Sequence, residues 1–112
     1  MPPEVGRRWL ERTGVDILDG LGSTEMLHIF LSNRPGEVRY GTSGRPVPGY
    51  EARLLDEDGN PVNRGEIGEL QVRGPTSASY YWNNREKSRQ TFLGPWTRSG
   101  DKYSETEDGY FV

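Results

Sequence analysis

Residues 19–30 read DGLGSTEMLHIF. Gly20 and Gly22 bracket Leu21, Ser23, Thr24 and Glu25 follow in a row, and an apolar run opens at Met26. Glycine takes backbone angles closed to other residues, and Ser and Thr are favoured helix caps. The stretch reads as a glycine-rich turn feeding a helical run over 26–33, with Ser23 or Thr24 as the N-cap. A strand, a glycine-rich turn and a helix start can together turn backbone N–H groups and a helix dipole toward an anion. The same residues can also serve structure alone, the glycines by permitting tight dihedrals and Ser-Thr-Glu by capping.

Upstream, Pro2 and Pro3 suit a helix start, where a missing N–H costs nothing. Val5, Trp9 and Leu10 form a candidate buried stripe over 4–12, and Gly14 is placed to stop that helix. Val15 to Leu18 read as a short buried strand. Downstream of Arg34 the pattern changes to short alternating strands and turns. Asp58-Gly59-Asn60-Pro61 is a turn signal, and Glu69 to Arg73 alternate as a half-buried strand does. GTSG at 41–44 lacks the spacing and lysine of a phosphate loop and reads as a structural turn. Residues 83–93 predict a short helix with Asn84 as cap and Gly94 as stop. The last stretch predicts a hairpin: Trp96 to Tyr103, a turn near Asp108-Gly109, and Tyr110 to Val112. The expected class is α+β. A helix–strand–helix piece of an α/β layer occupies 1–33, and a mostly antiparallel β-rich subdomain with one short helix occupies 34–112.

Length and composition bound the function. The 112 residues suit one domain. Leu, Ile, Val and Phe make up just under a fifth of the chain, little apolar material for a core of its own. One explanation is that the chain is part of something larger. A net charge of −3 offers no electrostatic case for nucleic acid. No apolar run approaches the length of a membrane span, and MPPEVGRRW lacks the pattern of a signal peptide. Without cysteine there is neither a disulfide framework nor a thiolate metal site, which fits a cytoplasmic setting. Tyr80, Tyr81 and Trp82 read as core aromatics, Trp96 as packing beneath the strand of Asp101, and Arg85, Lys87 and Arg89 as a solvated helix face. Apolar edges at Val15–Leu18 and Tyr110–Val112 favour self-association if exposed.

Three stretches gain meaning together: DGLGSTE at 19–25, GEIGELQVRGPTSASYYWN at 65–83 and WTRSGDKY at 96–103, with GTSGRPVPGYEARLLDEDG between the first two. In this order and spacing they resemble the adenylate-forming superfamily of acyl- and aryl-CoA synthetases, luciferases and peptide-synthetase adenylation domains. The wording GSTEMLHIFLSN is most similar to the benzoate-CoA ligase branch and its hydroxybenzoate relatives. The resemblance covers nearly the whole chain. It implies a two-step reaction: a carboxylate attacks the α-phosphate of ATP to give an acyl-adenylate and pyrophosphate, and a thiol, commonly that of CoA, then displaces AMP. Phosphate charge in the first step calls for Mg²⁺ and positioned donors.

By the same resemblance, Gly20, Leu21, Gly22 and Ser23 run beside the nucleotide and Thr24 offers its hydroxyl to the AMP phosphate. Glu25 helps to bind Mg²⁺, and Asp101 accepts from the two ribose hydroxyls. Gly20 and His28 fall at positions that line the acyl pocket. Bland roles stand beside these: a first-turn acid for Glu25, a turn residue for Asp101, and a partly buried histidine satisfied by backbone for His28. Leu21 departs from the aromatic commoner in the family, so stacking on adenine is not expected. The family's phosphate loop and its lysine-bearing C-terminal domain do not occur in this sequence. The chain alone is expected to be inactive. The alternatives are a β-rich module that binds a ligand or partner without chemistry, or a synthetase for a different acid.

Overall fold

The computed structural model describes residues 1–112. Helix α1 spans Pro3–Thr13 and ends as its sequence dictates: Gly14, at φ 71°, turns left-handed and its N–H donates to the Leu10 carbonyl at 2.8 Å. The remaining elements are β1 (Gly20–Ser23), β2 (His28–Ser32), β3 (Arg45–Pro46), β4 (Glu51–Leu55), β5 (Gly68–Arg73), α2 (Arg85–Thr91), β6 (Phe92–Leu93) and β7 (Trp96–Tyr103). They form two antiparallel sheets, ordered β1-β2-β3 and β4-β5-β7-β6. The class is the expected α+β, with antiparallel sheets dominating.

The helical run expected over 26–33 is a strand instead. β2 pairs with β1 on one side and β3 on the other, so its backbone groups are satisfied by ladders rather than by a helix. Leu27 adopts φ 58°, a left-handed angle that no helix interior tolerates. A short helical segment has little stability of its own, and two strand partners outbid it. The glycine-rich stretch is correspondingly a strand, not a turn. A Cβ on Gly20 would lie 2.6 Å from the Leu31 carbonyl, and one on Gly22 would lie 2.7 Å from that of His28. The glycines permit two backbones to approach. The real turn is one step later, over Thr24–Leu27, where Met26 N–H donates to Ser23 Oγ at 3.2 Å and Leu27 N–H to the Thr24 carbonyl at 3.1 Å.

Val15–Leu18 likewise forms no strand, having no neighbour to pair with, and Val15 and Leu18 are exposed. Polar anchors hold this stretch: Tyr40 Oη donates to Asp16, and Asn33 donates to the Asp19 carbonyl through its backbone N–H at 2.9 Å and its Nδ2 at 3.0 Å. Buried Asn33 also donates to the Thr42 carbonyl and accepts from Arg39 N–H, so every side-chain atom is engaged. On α1 the expected stripe of Val5, Trp9 and Leu10 is exposed. The helix touches the body through Gly6, which lies against the Tyr40 ring. The radius of gyration, 15.3 Å, exceeds the roughly 13 Å of a compact chain this long.

Between the sheets lies a seven-residue core. Met26 comes from the turn, Phe30 and Leu31 from β2, Leu54 from β4, Leu70 and Val72 from β5, and Phe111 from the C-terminal stretch. That stretch closes the fold with a hairpin whose turn lies near Asp108-Gly109 as expected, but its first arm is 104–106, because β7 pairs with β5 and β6: Ser104 and Val112 exchange two backbone bonds, and Gly44 and Phe111 are joined through the turn at 41–44. Tyr110 and Phe111 are therefore buried and not an open apolar edge. Tyr80 and Trp82, expected in the core, are exposed. Trp96 opens β7 and lies under two guanidinium groups, those of Arg53 at 4.1 Å and Arg73 at 5.2 Å. Asn84 caps α2 through Lys87 N–H as expected, whereas Gly94 turns β6 into β7 and does not end the helix.

Gly44 and Gly59 share nearly the same φ, 85° and 83°, in different surroundings. A Cβ on Gly59 meets nothing within 4 Å, whereas one on Gly44 collides with the backbone of Ser32 and Asn33. Gly59→Ala is expected to cost about 1–2 kcal/mol. Gly44→Ala should cost more than about 3 kcal/mol, because steric collision adds to the dihedral strain. Urea unfolding midpoints of the two variants would check the difference.

Candidate active site

The turn over Thr24–Leu27 is gripped by the segment that follows β5. Thr76 Oγ1 donates to the Met26 carbonyl and, its one proton spent, accepts from Tyr50 Oη at 2.8 Å. Ala78 N–H donates to the Glu25 carbonyl at 2.7 Å. Tyr81 Oη donates to Glu25 Oε1 at 2.9 Å. Ser77 Oγ pairs with Thr97 Oγ1 at 2.7 Å, tying the same segment to β7. Residues 76–81 thus act as a strap joining the hairpin of Glu25 to the sheet of Asp101.

Asp101 is aimed by a bulge in β7. Between the pairs Glu69–Lys102 and Gln71–Arg98, β5 carries Leu70 alone while β7 carries Ser99, Gly100 and Asp101. Gly100 takes φ 82° there. Ser99 Oγ secures the bulge by donating to the Leu70 carbonyl and accepting from Asp101 N–H. Bulges re-aim side chains in this way, and the Asp101 carboxylate is left exposed.

Together these features form a cleft of about 550 Å³ that holds Glu25, Tyr81, Lys87, Arg98 and Asp101. Arg98 is committed to Glu69 by a fork of two bonds, the Nη2–Oε2 contact being 2.9 Å, and that pairing raises the guanidinium's pKa further. Tyr81 is held above the ordinary phenol value, first by burial and also by donation to Glu25, with Thr91 opposing.

The residues singled out from sequence are thus divided. Glu25 and Asp101 share the cleft. Gly22, Ser23, Thr24 and His28 line a second, open hollow of about 610 Å³ that shares no lining residue with the cleft. Gly20 and Leu21 line neither: Gly20 sits against β2, and Leu21 packs on the core. His28 lies on a strand rather than a helix face. It is exposed, its ring stacks on Tyr50 at 5.7 Å and 9°, and Nδ1 meets the Ile29 carbonyl. Ser23 and Thr24 sit at a hairpin turn, so no helix dipole faces an anion there.

Comparison with known proteins fits this arrangement. The model of the family described as "AMP-binding enzyme" matches residues 1–82. The chain belongs to that family. It is 66% identical over its whole length to the benzoate–CoA ligase of Thauera aromatica and 54% identical to the 4-hydroxybenzoate–CoA/benzoate–CoA ligase of Rhodopseudomonas palustris, and spans 21% of each. The crystal structure of a benzoate CoA ligase from Burkholderia xenovorans LB400 superposes with a TM-score of 0.98 at 62% identity, covering all of this chain and 23% of that one. The anthranilate CoA ligase AuaEII, solved in complex with anthranoyl-AMP, gives 0.96 at 55% identity, covering 98% and 21%. The chain therefore spans about a fifth of the relatives it matches.

Sequence reasoning missed Tyr81, Thr76 and Ala78 as parts of the site. A tyrosine 56 residues from Glu25 gives no periodic signal, and only the strap brings the two together.

The raised phenol has a consequence for stability. An unfolded tyrosine ionises near pH 10, and native Tyr81 ionises above that. Its contribution is therefore complete below about pH 10 and is lost as pH climbs through the native value. Tyr81→Phe should lose less stability between pH 8 and pH 11 than the parent chain, as urea midpoints at the two pH values would record.

Proposed function

We propose that this chain is the nucleotide-side segment of an ATP-dependent, AMP-forming aryl-CoA ligase of the benzoate-CoA type. The observation that carries this reading is the meeting of Glu25 and Asp101 in one cleft, within a chain that matches benzoate–CoA ligases from end to end. Residues 1–33 contribute the hairpin turn of the nucleotide site and 34–112 the β-rich subdomain of the AMP-binding domain. The substrates are an aryl carboxylic acid, ATP and CoA, in the cytoplasm, where ATP and CoA are available.

Each residue has a task that follows from its donor and acceptor character. Asp101, aimed outward by its bulge, accepts from both hydroxyls of the ribose, one carboxylate against a cis-diol. The Thr24 hydroxyl, exposed at the turn, donates to a phosphate oxygen. The backbone along Gly20, Leu21, Gly22 and Ser23 leads into the hollow that Gly22 and Ser23 line and borders the nucleotide there, and Gly20, which has no side chain, leaves room beside His28 for a flat ring. Glu25 is the candidate magnesium ligand. No cluster of three acidic or histidine side chains occurs in the chain, and Mg²⁺ commonly takes only one or two carboxylates, filling its shell with water and phosphate. One partly buried carboxylate beside a nucleotide cleft fits that habit. When bound, Mg²⁺ neutralises charge on the phosphate oxygens. The lysines expected of the family's phosphate loop and C-terminal domain lie outside these 112 residues, so the chain alone is expected to be inactive. Losing several electrostatic groups, each typically a hundredfold or more in rate, leaves nothing to measure.

A segment exchange tests this reading. With this chain in place of the matching fifth of the Thauera ligase, benzoate-dependent ATP–pyrophosphate exchange should survive. Asp101→Ala in that protein should raise the KM for ATP roughly 10- to 100-fold, the worth of hydrogen bonds to a charged acceptor. A folded exchange protein with no benzoate-dependent turnover would overturn the reading.

A further inference from the structure

A carboxylate in a hairpin turn ordinarily rotates freely, yet Glu25 is held at two points. Its carbonyl accepts from Ala78 N–H at 2.7 Å, and its Oε1 from the Tyr81 hydroxyl at 2.9 Å. Tyr81 is itself fixed. Its N–H donates to Ser88 Oγ at 2.8 Å, and that hydroxyl donates to the Asn84 carbonyl at 2.7 Å. Its ring leans on Phe92 at 5.2 Å, with Lys87 Nζ 5.0 Å from the ring centre. A phenol has one proton to give, so it engages one carboxylate oxygen and leaves the other for an external partner.

We propose that Tyr81 is a positioning residue for Glu25, its hydroxyl holding Oε1 so that Oε2 is presented to a divalent cation carried by the nucleotide. This inference rests on the ligase reading above. A hydrogen bond from behind a ligating carboxylate fixes its orientation toward a metal. A phenol ordinarily ionises near pH 10, so the donor is present under working conditions. Tyr81→Phe removes only the hydroxyl and keeps the ring against Phe92, which separates positioning from packing. Arg64→Ala removes contacts to Glu105 and the Glu107 carbonyl at a residue that does not line the cleft, and so serves as the neutral control.

The test uses the full-length ligase that carries this chain. Mn²⁺ binding is followed by electron paramagnetic resonance in the presence of a non-hydrolysable ATP analogue. Tyr81→Phe should weaken Mn²⁺ binding roughly 10- to 100-fold. The Mg²⁺ concentration for half-maximal pyrophosphate exchange should move by the same factor, with the KM for the aryl acid unchanged. Arg64→Ala should leave all three as in the parent. Unchanged Mn²⁺ binding in Tyr81→Phe, or an equal loss in Arg64→Ala, overturns the proposal. If the parent protein shows no acid-dependent exchange while the two variants still differ in Mn²⁺ binding as expected, the ligase reading falls and the positioning role stands. If exchange is robust and Tyr81→Phe binds Mn²⁺ normally, the reverse holds.

Discussion

The grip of the strap at 76–81 on the turn at 24–27 is the contact on which the rest of the site depends. Without it, the hairpin β1–β2 and the sheet β4-β5-β7-β6 share a small apolar core, and nothing sets the angle between Glu25 and Asp101. Three hydrogen bonds, from Thr76, Ala78 and Tyr81, join the turn to the strap, and Ser77 ties the strap to β7. Hydrogen bonds are directional where apolar contact is not. They convert a loosely specified packing of two sheets into a defined separation between two carboxylates.

Charge in the cleft is arranged with the same economy. Arg98 and Glu69 satisfy each other, and so withdraw from any ligand a cation and an anion that would otherwise compete there. Glu25 offers one oxygen to the chain, and Asp101 engages the chain through its backbone N–H with Ser99. The two groups that the resemblance assigns to magnesium and ribose are thus the ones with acceptor capacity to spare. In the proposed reading, their pre-set placement lowers the ordering cost of binding a nucleotide.

Where sequence reasoning failed, it failed for one kind of reason. The run after Glu25 is compatible with a helix or a strand, and only the presence of β1 and β3 decides for the strand. Val15 to Leu18 has the composition of a strand but no partner, so it forms none and leaves Val15 and Leu18 exposed. The stripe Val5, Trp9 and Leu10 has helical periodicity and the helix exists, but its apolar face meets no neighbour. Periodicity reports what a segment could bury, whereas pairing and burial belong to whatever packs against it. Punctuation fared better. Gly14, the turn at 58–61, the turn at 41–44, the Asn84 cap and the turn of the C-terminal hairpin all fall where their local chemistry places them.

The sequence by itself determined the family, the order of the chemistry-bearing residues and the positions of the turns. These follow from short-range rules: glycine at positive φ, asparagine as a cap, and motif spacing along one chain. The α+β class followed too, since short alternating segments between glycines cannot form long helices. Tertiary structure alone decided that Gly20 to Ser23 is a strand, that Glu25 and Asp101 meet, and that Tyr81 reaches Glu25 from 56 residues away. The reason is that hydrogen-bond ladders and buried contacts join residues distant in sequence. Their free energy outweighs the weak local preferences of any short segment.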